Sequence, residues 1–346
     1  MSGQETLYYK NGNVYTGQFE NDTQNGRGIF KWKDGGQYEG LFVNGRIHGN
    51  GTLNYANGDL YIGEFIKNKR NGSGFYTWTS GHRYNGPWKK DKKFGFGIFY
   101  YANGDIYMGH FLNDKLHGRG LVFYKNKDIF NGTWKFNKLH GRGITTLVNR
   151  DQFIVNYSRG KILGKVKIVF SQGMTYEGDY INGTIQGNGT LESQDGFKYT
   201  GEFKNNLLNG RGVLTSPNGD SYIGTFKDSK RHGSGIVHSA NGNKFIGNFY
   251  HEKRNGNGTF IFANGGFDDG EWKDDKLHGY GRTQSNNGDL YIGQFINDQR
   301  HGNGTLYYRN GDIFIGQFID GKRNGQGTLI AQNGTRFDGS WKDDLV

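Results

Sequence analysis

The strongest constraint on this chain is a 23-residue period that holds without insertion or deletion from Tyr15 to Val346. The stretch from Tyr291 to Ile313, YIGQFINDQRHGNGTLYYRNGDI, restarts at Tyr15, Tyr38, Tyr61, Tyr84, Tyr107, Phe130, Phe153, Tyr176, Tyr199, Tyr222, Phe245, Asp268, Phe314 and Phe337. A unit this short cannot bury its own apolar face, so it must stack on copies of itself. The unbroken period therefore outweighs the two-domain expectation that 346 residues would raise.

Each unit opens with aromatic-x-Gly-x-aromatic, as in Tyr61-Ile62-Gly63-Glu64-Phe65, and continues through a connection of about six residues to Asn71-Gly72-Ser73-Gly74. A run such as Phe75-Tyr76-Thr77-Trp78 follows, and then a turn, most often Asn-Gly or Asp-Gly. Alternation of period two, rich in aromatic and β-branched residues and closed by Asn-Gly, specifies a hairpin of two antiparallel strands. By phase, Tyr61, Gly63 and Phe65 share one face with Gly74, Tyr76 and Trp78. Rings are then expected to lie on the bare glycine backbone of neighbouring strands, offsetting the usual weakening of a strand by glycine. The other face, with Thr16, Arg27, Glu64, Ser73 and Gln294, is expected to be mostly solvated. The fold class that follows is all-β: an elongated single-layer antiparallel sheet of stacked 23-residue hairpins, with no helical domain. At ~4.8 Å per strand a flat sheet of about thirty strands would span on the order of 140 Å.

Composition fits a sheet with one aromatic face. Hydrophobic residues are only 33% of the chain and mean hydropathy is −0.81, yet 16% are aromatic. The 61 glycines keep register and so do not make a flexible linker. Residues 1–5 read as a tail without a signal peptide, 6–14 as an N-terminal half repeat, 15–336 as fourteen repeats and 337–346 as a C-terminal half repeat. Within 124–175 the pattern decays: Lys127 and Arg150 replace the turn glycine, Val155 and Val166 replace both strand glycines, and Leu163 replaces the usual His or Asn. This stretch reads either as a bend or as a partner-binding site. Pro87 stands inside a strand and removes one ladder donor.

Several chemistries are disfavoured. Cysteine is absent, which removes disulfides, thiol catalysis and cysteine-ligated zinc. No run of 18 apolar residues is present. The recurring Gly-x-Gly lacks the following helix that a phosphate-cradling loop needs. Histidines recur at His48, His117, His140, His232, His278 and His301, but equivalent positions lie two strand spacings, ~9.5 Å, apart, too far for shared zinc. The carboxylate pairs Asp268-Asp269, Asp274-Asp275 and Asp343-Asp344 have no repeated acid–base geometry. No catalytic, cofactor-binding or metal-binding residue is assigned, and no cofactor is expected.

Charge is the remaining signal, with a net +11. The two positions before His/Asn-Gly carry Arg46, Lys69 and Arg70, Lys92 and Lys93, Lys115, Lys138, Lys161, Lys230 and Arg231, Lys253 and Arg254, Lys276, Arg300, and Lys322 and Arg323. Stacked in register, these form a candidate basic stripe along one long edge. The opposite turns carry Asp59, Asp105, Asp220, Asp289 and Asp312. The stripe serves either solubility and edge protection or an acidic polyvalent partner: anionic lipid headgroups, acidic tails of cytoskeletal proteins or, least expected, nucleic acid. Nucleic acid is not expected, since no groove-reading helix or known RNA module is present. Phe337 and Trp341 lie on a half repeat whose following strand is missing, which makes that edge a candidate for self-association as a homodimer.

Tyr-x-Gly-x-Phe/Trp, a basic connection, His/Asn-Gly-x-Gly and a closing Asn/Asp-Gly at 23-residue spacing resemble the MORN repeat (membrane occupation and recognition nexus) over nearly the whole chain. The resemblance implies a stand-alone array of the kind found in protist cortical and basal scaffolds and in ciliary radial-spoke heads. The expected function is then a non-catalytic scaffold that organises cytoskeletal or ciliary (axonemal, radial-spoke or cortical) proteins, located in the cytoplasm at the cytoskeleton, cilium or a membrane surface. The alternative is a peripheral membrane module that binds anionic phosphoinositide lipids through the basic stripe.

Overall fold

The structure, a computed structural model, describes residues 2–346. The chain forms two compact units, Met1–Ser171 and Gln172–Val346. Each is an open, single-layer antiparallel ladder in which strands pair in sequence order, with no helix among the described residues.

One repeat shows why the sequence folds this way. Strands Leu60–Ile66 and Lys69–Thr77 pair through Ile66↔Lys69 and Gly63↔Gly74. The connection expected to be a loop of about six residues is instead a two-residue turn, Lys67-Asn68, with φ of 49° and 67°. Both central residues at positive φ define a type I′ turn, whose twist matches that of a hairpin. The remaining residues belong to the second strand, where two extra residues between Arg70 and Gly74 are absorbed in a bulge at Gly72, φ 73°. The opposite turn, Ala56-Asn57-Gly58, closes with Tyr55 N–H donating to Asp59 O at 2.9 Å and Gly58 at φ 85°. Pro87 falls where the register breaks, between Asn85↔Ile98 and Trp88↔Lys93, a place that tolerates proline.

The expected aromatic face is present. Tyr61 is fully buried over Gly63 and Gly74, and its hydroxyl donates to Glu64 O at 3.0 Å. A Cβ added at Gly74 would overlap the Tyr61 side chain at its hydroxyl and Cε2. Tyr61 meets Phe65 at 5.0 Å and Trp88 of the next repeat at 5.6 Å, both nearly perpendicular. The same edge-to-face alternation links Tyr199 to Phe203 and Phe226 at 5.1 Å each in the second unit. Such pairs add about 0.5–1.5 kcal/mol each beyond burial. The core of each unit is thus one row of rings on one face.

Repeats are stitched at both edges. On the I′-turn edge the second turn residue clasps the repeat before it: Asp91 N–H donates to Arg70 O at 3.0 Å while Asp91 Oδ1 accepts from Arg70 N at 2.9 Å. Asn68 with Ile47, Asn137 with Leu116 and Asp298 with Leu277 repeat the clasp. On the other edge Asp59 Oδ1 accepts from Thr79 N at 2.9 Å, and Asp105, Asp128, Asp151, Asp220, Asp289 and Asp312 act likewise one repeat ahead. These carboxylates satisfy backbone donors that would otherwise end the ladder unpaired.

Two repeats depart from the ring-over-glycine pattern. In the seventh, Val155 and Val166 fill the glycine slots and are buried together with Ile168. In the twelfth, Asp268 stands where every other full repeat has a ring. Over Gly281 the nearest ring atom is then Phe295 Cε2, 3.5 Å from an added Cβ, and the neighbouring Gly270 adopts φ 155°.

Candidate functional site

The sixteen basic residues of the expected stripe lie on strands, not loops, and the strand divides them. Arg46, Lys69, Lys92, Lys115, Lys138, Lys161, Lys230, Lys253, Lys276 and Lys322 occupy the first position after the I′ turn and are exposed on the second face of the sheet. The six at the next position turn to the aromatic face. Arg70, Arg254 and Arg323 lay their guanidinium groups 4.1, 4.2 and 4.1 Å from the ring centres of Trp88, Trp272 and Trp341. Arg231 stacks on Phe249 at 5.2 Å and Arg300 on Tyr291 at 5.5 Å, and the Lys93 ammonium lies 4.8 Å from Phe99. Ile47, Leu116, Ile185 and Leu277 hold the same position in other repeats. A long cation and an aliphatic chain interchange there because the stem of Arg packs as a hydrocarbon while its head meets ring faces.

These six cations are already engaged. The Arg70 guanidinium donates to Asp91 O at 2.9 Å, and Arg231–Glu252, Arg254–Asp275 and Arg323–Asp344 repeat the arrangement. Burial lowers the Lys93 ammonium below its usual value, the nearby Asp114 opposes this, and Arg70 lowers it further. Among the exposed members, Lys253 and Lys322 reach Asp274 and Asp343 at 3.2 and 3.9 Å.

The second face is less polar than its residue list suggests. A row of half-exposed aliphatics crosses its middle, including Ile62 in the first unit and Ile223, Ile246 and Ile315 in the second, 40–49% exposed. In the second unit Val213, Ile223, Ile236 and Ile246 wall a groove of ≈ 580 Å³ whose other side is Arg211, Thr225, Ser234 and Asn248. Beside the first-position lysines stand residues that attention to the pre-glycine motif passed over. Lys89, Lys135, Lys227 and Lys273 pair directly with Lys92, Lys138, Lys230 and Lys276 across the hairpins. Like charges placed opposite one another are destabilising. Counting charge by strand position and by repeat, instead of by motif, is the signal that finds them.

Trp341 is buried, against Phe314 at 5.1 Å and beneath Arg323, so within this chain it has the partners its counterparts have. Phe337, 44% exposed, does not. The histidines sit beside the bulges. His117, His232 and His278 bury Nδ1 without a hydrogen-bond partner, and no group of three or more metal-ligating side chains converges among the described residues. Among the described residues no helix is long and apolar enough to cross a membrane.

Similar solved structures include the wild-type TCP10 domain of Danio rerio CPAP in complex with a peptide of Danio rerio STIL, at 13% identity. That match covers 65% of this chain and 94% of the other, with a TM-score of 0.38. The SAS-4 (dCPAP) TCP domain of Drosophila melanogaster, in complex with a proline-rich motif of Ana2 (dSTIL), matches at 12% identity over 51% and 90% of the two chains, TM-score 0.31. The selenomethionine-substituted virginiamycin B lyase of Staphylococcus aureus matches at 12% identity over 84% and 94%, TM-score 0.13. No curated protein matches the chain. The family described as MORN repeat matches residues 15–37, 38–60, 61–83, 84–106, 107–129, 130–152, 176–197, 199–221, 222–244, 245–267, 269–290, 291–313 and 314–336. With its hairpins, ring-covered glycines and 23-residue period matched in thirteen segments, the chain belongs to the MORN-repeat family, whose arrays generally serve as protein- or lipid-binding scaffold modules.

Proposed function

We propose that this protein is a non-catalytic scaffold that holds protein partners within a cytoskeletal or ciliary assembly. The observation that carries this reading is that the aromatic face is sealed. Its tyrosines are buried, with hydroxyls donating to their own backbone, as Tyr61 does to Glu64 O and Tyr291 to Gln294 O. The free chemistry is therefore the second face and the turn edges, where side chains repeat in fixed rows. Such rows suit multivalent docking better than the convergent acid, base and nucleophile set that a reaction requires. Self-association through the strand Arg336–Trp341 belongs to the same proposal, with Phe337 as the contact.

The test is detergent extraction of cells expressing a tagged copy. Retention in the insoluble cytoskeletal fraction at physiological salt is expected, and complete release with the soluble fraction would refute the scaffold reading. Sedimentation at tens of micromolar, with Phe337→Ser beside the parent chain, tests the dimer; a monomeric parent rules it out. A second reading, anionic phosphoinositide binding, is favoured by one observation: exposed Lys69 and Lys322 pair across their hairpins with exposed Ile66 and Ile319. It requires flotation of the protein with phosphoinositide vesicles and loss of flotation in Lys69→Glu/Lys322→Glu.

A further inference from the structure

The excess positive charge is not spread along the array. Residues 84–171 contain sixteen Lys and Arg against five Asp and no Glu, so the net +11 resides there and the rest of the chain balances. All five aspartates are committed to backbone donors of neighbouring repeats: Asp91 to Arg70, Asp114 to Lys93, Asp105 to Lys125, Asp128 to Val148 and Asp151 to Ser171. None neutralises the second face.

On that face the fourth to seventh repeats set two parallel rows of exposed cations. Beside the I′ turns run Lys89, Lys92, Lys115, Lys135, Lys138 and Lys161. Two residues further from the turns, on the same face, run Arg119, Arg142 and Lys165. The corresponding positions of the second unit carry Asn188, Arg211, Ser234 and Asn257, with Asp179, Glu202 and Glu271 beside them. The rows border two hollows. One, of ≈ 330 Å³, is lined by Phe94, His110, Leu112, His117 and Arg119. The other, of ≈ 560 Å³, is lined by Lys135, Phe136, Lys138, His140 and Arg159.

We infer that the second face of repeats four to seven is the docking site for an extended, acidic polypeptide segment, the two cation rows receiving its carboxylates and the hollows its intervening side chains. This rests on the scaffold reading and names its partner chemistry. Eight strands at ~4.8 Å spacing present about 34 Å, the reach of about ten residues of extended chain. Base stacking fits less well, because the ring faces are already met by the chain's own groups. The Lys89 ammonium lies 5.0 Å from the Phe94 centroid, the Lys115 ammonium 5.9 Å from Phe136, and His117 packs on Phe136 at 4.9 Å with the rings tilted by 53°. A lipid surface fits less well, because Phe94 and Phe136 line hollows, although Phe96 stands 53% exposed beside them.

Fluorescence anisotropy of a labelled poly-glutamate peptide about twelve residues long tests the site, on the full chain at physiological ionic strength. Binding is expected, and Arg119→Glu/Arg142→Glu/Lys165→Glu should weaken it about tenfold or more. The control Lys204→Glu/Lys227→Glu/Lys273→Glu removes the same charge from exposed positions of the second unit and should leave affinity within about twofold. Equal loss in both variants, or no binding of the peptide, overturns the proposal. Tighter binding of an oligothymidine of equal charge, or of phosphatidylserine vesicles, overturns it in favour of nucleic acid or membrane. Detergent extraction reports on the scaffold independently, so the acidic segment can fail while the scaffold stands.

Discussion

Asp268→Tyr restores the one missing ring in the aromatic row and should stabilise the second unit. In the other repeats a ring covers the paired glycines; here Gly270 and Gly281 lie without one, and Trp272 and Phe295 lose their shared edge-to-face partner. A buried ring removes about 150–250 Å² from water, which at ~25 cal/mol per Å² is about 4–6 kcal/mol as an upper bound. Trp272, Leu277 and Phe295 are at most 4% exposed and have closed over part of the space, so about 2–3 kcal/mol is the realistic gain. The charge adds to it. Burial pushes the Asp268 carboxyl up to about 6, Asp298 reinforces the shift and Arg254 opposes it. A rise of that size would be worth about 3 kcal/mol at full burial, and partial exposure reduces it to about 1 kcal/mol. The expected total is about 3–4 kcal/mol at neutral pH. A carboxyl with a raised folded-state pKa contributes stability that is full below the unfolded value near 3.8 and is lost as pH rises through about 6. Wild type should therefore lose stability across that window at this site, and the Tyr variant should not. Hydrogen exchange of strands Lys253–Ile261, Phe267–Lys273 and Lys276–Gln284, with urea titration followed by tryptophan fluorescence, reads both effects. Unchanged or reduced protection in Asp268→Tyr, or an unaltered pH profile, would refute the argument.

Three further outcomes follow from the same geometry. Gly74→Ala should lower stability by about 1–3 kcal/mol, seen as a reduced urea midpoint, because its Cβ would displace the Tyr61 ring from both glycines. Lys127→Gly/Arg150→Gly should add about 1 kcal/mol of stability per site, seen as a raised midpoint, since both residues hold left-handed backbone at φ 74° and 72° where other repeats use glycine. Asp59 works in the opposite pH direction to Asp268. Burial alone would raise its carboxyl, but donation from Thr79 N–H and from Tyr76, Asn57 and the Thr79 hydroxyl outweighs this and holds it below the usual value. Its contribution is present above the unfolded value and lost as pH falls through the folded one. Asp59→Asn should accordingly flatten the acid limb of a thermal-melting profile, and an unchanged limb would count against the clasp.

The strand–turn period, the single aromatic face and the glycine slots under the rings were legible because they rest on local chemistry. Alternation of period two assigns Tyr61, Gly63 and Phe65 to one side whatever the distant contacts are. Asn-Gly marks the turn by its tolerance of positive φ. The other turn was missed although Asn44-Gly45, Asn182-Gly183 and Asp320-Gly321 mark it at positive φ, because other repeats, such as those with Lys67-Asn68 and His251-Glu252, carry weaker signals there. Without that turn, the register of the following strand cannot be counted, and Lys69 and Arg70 read as one stripe. Tertiary structure separated them: an even number of extra residues in the bulge keeps Arg70 in phase with Gly74, and the indole of the next repeat supplies the surface that makes a half-buried guanidinium stable. The clasps across repeats, such as Asp91 with Arg70 and Asp59 with Thr79, link residues 20 or 21 apart and exist only once neighbouring hairpins are in register. Sequence thus determined what each hairpin is. Which charges remain free to meet a partner was decided only by stacking, because one repeat's carboxylates are taken up by the backbone of another.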